Sequence, residues 1–341
     1  MSDYYFSPLP ITTLTQAQQA ALNESGPLAL SGGPGTGKSV VSLLRHIRNH
    51  EQGKNSLLLT YTQTLMRYLK SYANQYGSFK TSRNIGTFYA GRPLSRGRYD
   101  EIIIDEAQDV DSDMHRTLTG LGYEVSYGAD DSQILYPDHC TRQEEMHEIY
   151  PDNIEYLLDR NFRSTQNIML FARCAFPDLF VPQDIIDGLA HNPGPKPVAI
   201  WDNHFRSTLK LVRELSSETT NIGILTPWKV DVESMAKYLT DNGIDTSCYI
   251  SDDTGSGSCE SLKNVHVTSY RSAKGLEFDT VILPEFDYFY FLDKPQIREG
   301  DKCVLSVEDM YVAVTRARSN LYLINKFNPT QFRRRFDGYI Q

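Results

Sequence analysis

Short runs of aliphatic and β-branched residues, each followed by a turn and then by apolar positions three and four apart, recur along the chain. Residues 28–30 form the first such run. It leads into a glycine-rich loop and a helical pattern over roughly 39–49. Residues 56–60 predict a second strand, 65–76 a helix, 102–105 a third strand and 124–127 a fourth, which ends at Asp130-Asp131. Strands alternating with helices predict a parallel sheet covered on both faces. Ligands of such sheets sit at the carboxyl ends of the strands, and the chemically suggestive residues of this half all fall at such ends.

A second series follows the turn at Tyr150-Pro151-Asp152, with strands expected at 154–158, 198–200, 222–225, 265–268, 280–283 and 321–324. One more short strand is expected between Leu239 and Val265. Helical patterns fall near 166–176, 205–215, 230–239 and 306–314, and the Pro/Gly-rich 191–197 and Asp/Gly/Ser-rich 251–261 stretches predict loops. The expected division is a first lobe over 1–150 and a second over 151–341. No repeat and no low-complexity tract is visible.

At 341 residues the chain can bury a core in each of two domains. Hydrophobic residues at 40% and charged residues at 23% are those of a soluble globular protein. No apolar run approaches the ~20 residues of a membrane helix, and the N-terminus lacks the basic and then apolar character of a secretory signal. Five scattered cysteines without metal-ligand spacing predict reduced thiols, hence a cytoplasmic protein with no membrane partner. The net charge of −9 gives no general attraction to nucleic acid. A single basic, aromatic-lined groove would suffice for a strand, however, so charge leaves that partner open.

The segment Gly32-Gly33-Pro34-Gly35-Thr36-Gly37-Lys38-Ser39 fits G-x-x-x-x-G-K-[ST] between an expected strand and an expected helix. Gly33, Gly35, Thr36 and Gly37 would let successive N–H groups converge on phosphate oxygens, with the helix N-terminus adding its positive end. Lys38 would reach the β- and γ-phosphates and Ser39 would ligate Mg2+. A P-loop needs an acidic strand end to hold the metal, and Ile102-Ile103-Ile104-Asp105-Glu106 supplies one. Asp105 would hold Mg2+, directly or through water, and Glu106 would polarise the attacking water.

From Asp105 the chain reads Asp-Glu-Ala-Gln-Asp, and with four further blocks it resembles the UvrD/Rep-like branch of superfamily 1 helicases, ATP-driven motors on single-stranded DNA. The blocks run in the family's order over nearly the whole chain. The resemblance implies two RecA-like P-loop lobes, each a mainly parallel sheet flanked by helices, with ATP in the cleft between them. Leu14-Thr15-Gln16-Ala17-Gln18 resembles the Q motif and assigns the adenine edge to Gln18. In Ala129-Asp130-Asp131-Ser132-Gln133-Ile134-Leu135-Tyr136, Gln133 would sense the γ-phosphate and Tyr136 would face a base. Arg160-Asn161-Phe162-Arg163-Ser164 places Phe162 on adenine and Arg163 at the γ-phosphate. In Ser272-Ala273-Lys274-Gly275-Leu276-Glu277-Phe278, Gly275 and Glu277 belong to the nucleotide site, with Glu277 at the ribose. Tyr311-Val312-Ala313-Val314-Thr315-Arg316-Ala317-Arg318 makes Arg316 the second arginine finger.

The same resemblance gives strand-binding candidates: Tyr61, Thr62, Thr87, Phe88, Tyr136 and Arg271. It also shows departures. Val40 stands where relatives often carry an adenine-facing Arg, Arg271 where they carry His, Tyr89 replaces a His, and Asp138 replaces a second aromatic platform. The run Tyr288-Phe289-Tyr290-Phe291 has no counterpart role. The accessory insertion usual in each lobe is essentially absent, which describes a motor core. The implied function is a DNA-stimulated ATPase and translocase, with the family's 3′-to-5′ polarity, unwinding with a partner's help. The alternatives are an ATP-dependent switch controlling a protein partner such as a nuclease, and RNA in place of DNA as the strand.

Overall fold

A computed structural model describes residues 4, 14–76, 79–88, 97–134, 139–179, 181, 183–249, 262–286, 305–326 and 329–341. The chain divides into two units, one over Phe6–Phe162 and one made of Met1–Tyr5 with Arg163–Gln341.

In the first unit the strands are β1 (Leu28–Ser31), β2 (Ser56–Thr60), β3 (Ile85–Thr87), β4 (Tyr99–Asp105), β5 (Gly122–Gly128) and β6 (Ile154–Leu157). They form one parallel sheet in the order β3-β2-β4-β5-β1-β6. Its helices are α1 (Gln16–Asn23), α2 (Lys38–Glu51), α3 (Gln63–Tyr76), α4 (Phe79–Arg83), α5 (Ser112–Thr119) and α6 (Gln143–Ile149). Side chains alternate across a strand, and both faces of this sheet are covered, so the centre of β4, Ile102-Ile103-Ile104, is apolar on both sides. Ile102 and Ile104 pack with Leu57, Leu59, Val125 and Tyr127 on one face. Ile103 packs on the other with Leu58 and the α2 and α3 residues Leu43, Ile47, Leu65 and Leu69.

The strand at 154–157 was expected to open the second lobe. It instead pairs in parallel with β1 along Leu28↔Ile154 to Ser31↔Leu157 and completes the first sheet. The boundary therefore falls between Phe162 and Arg163, not at 150.

A buried polar network fastens α2 beneath this sheet. Arg45, 0% exposed, donates through Nε to Glu101 Oε1 at 2.7 Å, and through its two Nη atoms to the Glu24 and Gly26 carbonyls at 2.8 and 2.6 Å. Asn49 and Ser126 also donate to the Glu101 carboxylate.

The second unit carries β7 (Val198–Trp201), β8 (Ile222–Thr226), β9 (Ser247–Tyr249), β10 (Val265–Ser269), β11 (Phe278–Leu283) and β12 (Ala317–Asn325). These form a second parallel sheet in the order β7-β12-β11-β8-β10-β9. Its helices are α7 (Gln166–Ala175), α8 (Gln183–Asp187), α9 (His204–Leu215), α10 (Lys229–Asp241), α11 (Val307–Val314) and α12 (Pro329–Arg335). Leu209 and Val212 of α9 and Val232, Met235 and Leu239 of α10 pack on Ile222, Ile224, Val265, Val267 and Ile282 of the sheet. Phe171, Phe286, Phe332 and Phe336 form an aromatic cluster, with ring centroids 4.7 to 6.3 Å apart. A Cβ at Gly223 would stand 2.4 Å from the Phe278 ring, so the absence of a side chain lets this fully buried ring lie across β8.

The chain is thus of the α/β class, two six-stranded parallel sheets each with packed helices. Residues 191–197 form the expected loop, tied to α7 by the Asn192 and Pro193 carbonyls. The expected loop at 251–261, the 288–291 run, Tyr89, Tyr136 and Asp138 lie outside the described residues. Among the described residues, Cys140, Cys174 and Cys248 form no disulfide. No helix among the described residues is long and apolar enough to cross a membrane.

Candidate functional site

Between β1 and α2 the loop turns on glycines in left-handed conformations, Gly35 at φ 74° and Gly37 at φ 90°. Gly32, at φ 142°, is needed for space as well: a Cβ there would stand 2.3 Å from the Leu158 carbonyl oxygen. At Gly37 it would stand 2.5 Å from Gln18 Nε2. Gly37 is also the N-cap of α2, where no side chain caps the helix and no acidic residue sits in its first turn. The first N–H groups of α2 are left without a side-chain cap at a positive dipole end, which is the condition for anion binding. Thr36 Oγ1 donates to the Gly33 carbonyl at 2.9 Å. Lys38 Nζ donates to the carbonyls of Gly32 at 2.5 Å and Gly33 at 3.0 Å, and lies 3.7 Å from an Asp130 carboxylate oxygen.

Two neighbours brace this loop. Gln18 sits in a capping box with Thr15 at the start of α1, accepting from the Thr15 N–H, and its Nε2 donates to the Thr36 carbonyl at 2.9 Å. The residue expected to read adenine thus fastens α1 to the loop. Phe162 donates its backbone N–H to the Gly35 carbonyl at 2.9 Å while its ring stays 41% exposed, an aromatic face held at the loop. Val40 packs on Leu14, Leu22 and Leu44, so the departure at this position fills a small apolar cluster.

The acidic residues end β4, which is separated from β1 by β5. Asp105 is buried, and burial raises its carboxyl to about 7; the neighbouring Glu106 charge adds to this, opposed by the Ser39 hydroxyl and Lys38. Its Oδ2 is buried without a hydrogen-bond partner, although the Ser39 hydroxyl bonds this carboxylate. A buried oxygen with no donor beside a hydroxyl and a P-loop is a hard-ligand set that Mg2+ fits. Glu106 adopts φ 57°, left-handed for a residue with a side chain. Strain of about 1–3 kcal/mol in such a conformation persists where the surroundings enforce it, often at functional sites.

Gln108, which sequence reasoning passed over, joins this corner to the turn after β5. It donates from Nε2 to Glu106 Oε2 at 2.7 Å and accepts through Oε1 from the Asp130 N–H at 3.1 Å. The Asp130 carboxylate in turn accepts from the Ser132 N–H and from Gln133 Nε2. The signal was present in the motif, an amide two residues beyond a carboxylate, but its direction was not.

On the second unit, Gly275 turns at φ 80° and Glu277 follows it. Glu277 faces Arg163 Nε at 3.1 Å and Arg318 Nη1 at 3.7 Å. Burial pushes its carboxyl up, but Arg163, Arg318 and Arg316 together hold it below the usual range. Arg316 is buried, with Nε donating to the Val312 carbonyl at 3.1 Å and Nη1 to the Leu276 carbonyl at 3.4 Å. Lys274 is buried beside them in sequence.

The strand-binding candidates fare differently. Phe88 is 3% exposed within the β2/β4/β5 core, and Thr87 is buried with its hydroxyl accepting from Gln63. Both, expected as strand contacts, are interior residues: Phe88 follows β3 and packs in the cluster of Leu57, Leu59, Tyr99 and Ile102. Arg271 forms a two-point ion pair with Asp309, Nε to Oδ1 at 2.7 Å and Nη2 to Oδ2 at 3.0 Å. Asp309 also completes the capping box of α11. That guanidinium is committed to structure. Thr62 caps α3 through its hydroxyl, accepting from the Leu65 N–H. Tyr61 is half-buried after β2. Tyr136 lies outside the described residues.

Comparisons with known proteins agree with the second unit. A family model described as the UvrD-like helicase C-terminal domain matches residues 249–327. A protein of Acanthamoeba polyphaga mimivirus, named as an ATP-dependent DNA helicase, is 25% identical over 260 residues; the match covers 70% of this chain and 35% of the relative. The chain therefore spans little more than a third of that curated relative's length. Among solved structures, the PRRSV helicase aligns over 93% of this chain and 55% of its own at 15% identity, with a TM-score of 0.47. An arterivirus nonstructural protein 10 helicase in complex with DNA aligns over 92% and 64% at 16% identity, with a TM-score of 0.43.

Proposed function

We propose that the chain is a UvrD/Rep-like superfamily 1 helicase, a reading that the match of its residues 249–327 to the UvrD-like helicase C-terminal domain supports, and that it is an ATP-hydrolysing motor on single-stranded DNA, with 3′-to-5′ polarity. The observation that carries the ATPase reading is the uncapped N-terminus of α2, with Lys38, beside the buried Asp105-Glu106 corner. In this reading the loop N–H groups and Lys38 grip the phosphates. Ser39 and Asp105 hold Mg2+, which supplies charge neutralisation to the phosphates. Glu106 accepts a proton from the water that attacks the γ-phosphorus as the bond to the β-phosphate breaks, giving ADP and phosphate. Gln133 senses the γ-phosphate. By the resemblance, Phe162 stacks on adenine, Glu277 meets the ribose, and Arg163 and Arg316 offset the charge spread over the transferred group. A residue in that last role is worth on the order of 10³–10⁵ in rate.

One observation favours a second reading, an ATP-dependent switch that controls a protein partner such as a nuclease. Phe88 and Thr87 are spent inside the fold and Arg271 is paired with Asp309, which leaves Tyr61 and Thr62 as the described strand candidates. Steady-state ATPase with and without single-stranded DNA at low salt separates the two. The motor predicts strong stimulation. Absence of both DNA binding and stimulation would leave the switch, and a greater response to a matched RNA oligonucleotide would assign RNA as the strand.

A further inference from the structure

We infer that Gln108 is a positioning residue that fixes the Glu106 carboxylate and ties it to the phosphate-sensing turn, an inference resting on the ATPase reading above. Gln108 is 0% exposed, on the short 3-10 turn Ala107–Asp109 that follows β4. All three of its hydrogen-bonded groups are engaged in one direction of travel. Its backbone carbonyl accepts from the Thr141 N–H at 3.2 Å, which pins the turn. Its side-chain oxygen accepts from the Asp130 N–H at 3.1 Å, and its side-chain nitrogen donates to Glu106 Oε2 at 2.7 Å.

The orientation of this amide is not interchangeable. A backbone N–H can only donate, so the side-chain oxygen must face Asp130 and the nitrogen must face Glu106. The bond is a donor to a carboxylate in a buried setting, the stronger kind of hydrogen bond. Glu106 cannot relax away from it by an ordinary backbone adjustment, because its φ of 57° is already an enforced conformation.

At the other end, Asp130 gathers the groups that meet phosphate. Its carboxylate accepts from Gln133 Nε2 and from the Ser132 N–H at 3.0 Å, and lies 3.7 Å from Lys38 Nζ. The path Glu106–Gln108–Asp130–Gln133 is therefore continuous, each link a hydrogen bond between buried groups. A shift of the Asp130 turn on meeting the γ-phosphate would move the N–H donor that orients the Gln108 amide, and with it the amide N–H that orients Glu106. Groups that orient a reacting side chain in this way change activity by about 10- to 100-fold when removed.

The test compares wild type, Gln108→Met and Gln108→Glu in steady-state Mg-ATPase, with fluorescent-nucleotide binding and thermal melts alongside. Gln108→Met keeps volume and cuts both links; Gln108→Glu keeps an acceptor for Asp130 and turns the donor to Glu106 into a repelling carboxylate oxygen. Both should bind nucleotide within about threefold of wild type and lose about 10- to 100-fold in kcat at nearly constant KM. In a Glu106→Gln background, Gln108→Met should have no further effect on residual turnover, since the group it positions is gone. The inference is overturned if kcat stays within twofold of wild type. It is overturned equally if nucleotide binding falls with kcat, or if Gln108→Met costs the same factor with and without Glu106. A wild-type chain that hydrolyses no ATP removes the ATPase reading and the inference together, an outcome distinct from each of these.

Discussion

Replacing Arg45 by Met should cost the first unit about 3–5 kcal/mol, because it strands a buried charge. The guanidinium is 0% exposed and meets Glu101 at 2.7 Å, and Glu101 is itself 0% exposed. With Arg45 gone, Glu101 keeps the Asn49 and Ser126 donors but loses the cation bonded to it, leaving Arg48 as an electrostatic neighbour. The Glu24 and Gly26 carbonyls lose donors as well, though both residues are half-buried and water replaces part of that loss. Domains are stable by roughly 5–15 kcal/mol, so the single variant forfeits a large fraction. Arg45→Met with Glu101→Met removes both charges and should be more stable than Arg45→Met alone by about 3 kcal/mol. The two tryptophans, Trp201 and Trp228, both lie in the second unit. Tryptophan fluorescence therefore follows that unit, and far-UV circular dichroism follows both. Urea unfolding of Arg45→Met should lower the dichroism midpoint well before it moves the fluorescence midpoint. The reasoning is refuted if the single variant loses less than about 1 kcal/mol, or if the double variant is the less stable of the two.

Lys38→Ala should abolish turnover, and Glu106→Gln should retain nucleotide while cutting turnover to a small residual rate; normal hydrolysis by Glu106→Gln would remove it as the base. Phe162→Ala should weaken ATP by about 1–3 kcal/mol, the value of one aromatic–base stack, and leave the melting temperature unchanged because the ring is 41% exposed; titration calorimetry with a parallel melt checks both. Phe88→Ala should destabilise by about 3–5 kcal/mol as a core truncation, and Arg271→Ala by about 1.5–3 kcal/mol through loss of its charged bonds to Asp309; a selective loss of DNA affinity at full stability in either would reverse the assignment. Burial holds His46 and His266 down at about 3, while the unfolded chain takes up those protons near 6.5. Stability should therefore fall as pH drops from about 6.5 toward 3, by up to about 1.4 kcal/mol per pH unit for each histidine. His266→Gln should flatten the fluorescence-detected slope between pH 7 and 5.

What the sequence disclosed about the fold follows the reach of local rules. The uninterrupted Ile102-Ile103-Ile104 run marks a strand buried on both faces, and the structure divides it by parity between two clusters. The 154–157 run looks alike from the sequence, and its strand character was legible. Its sheet was not. Pairing with β1 rather than with a second-unit strand is a property of register between segments over a hundred residues apart. Short elements such as α5 and α6 also escaped, because seven or eight residues give too few turns for periodicity to separate them from loops.

The geometry of the glycine-rich loop, to which we assign phosphate, was legible for a related reason. Phosphate binding is done largely by backbone, and a backbone that must turn left-handed at Gly35 and Gly37 writes glycine into the sequence at fixed spacing. Side-chain roles carry no such mark. Phe88 and Phe162 are both aromatic residues in matched motifs, yet one is sealed under the sheet and the other lies open at the loop. Arg271 and Arg163 are both cations in matched motifs, and each is paired with an acid that sequence spacing does not connect to it, Asp309 and Glu277. Gln108 shows the same limit from the other side: its motif was read, but only the Asp130 N–H, twenty-two residues away, decides which way its amide faces. Chemistry performed by the main chain can be read from residue types, whereas chemistry performed by a side chain depends on the partner that tertiary packing brings to it.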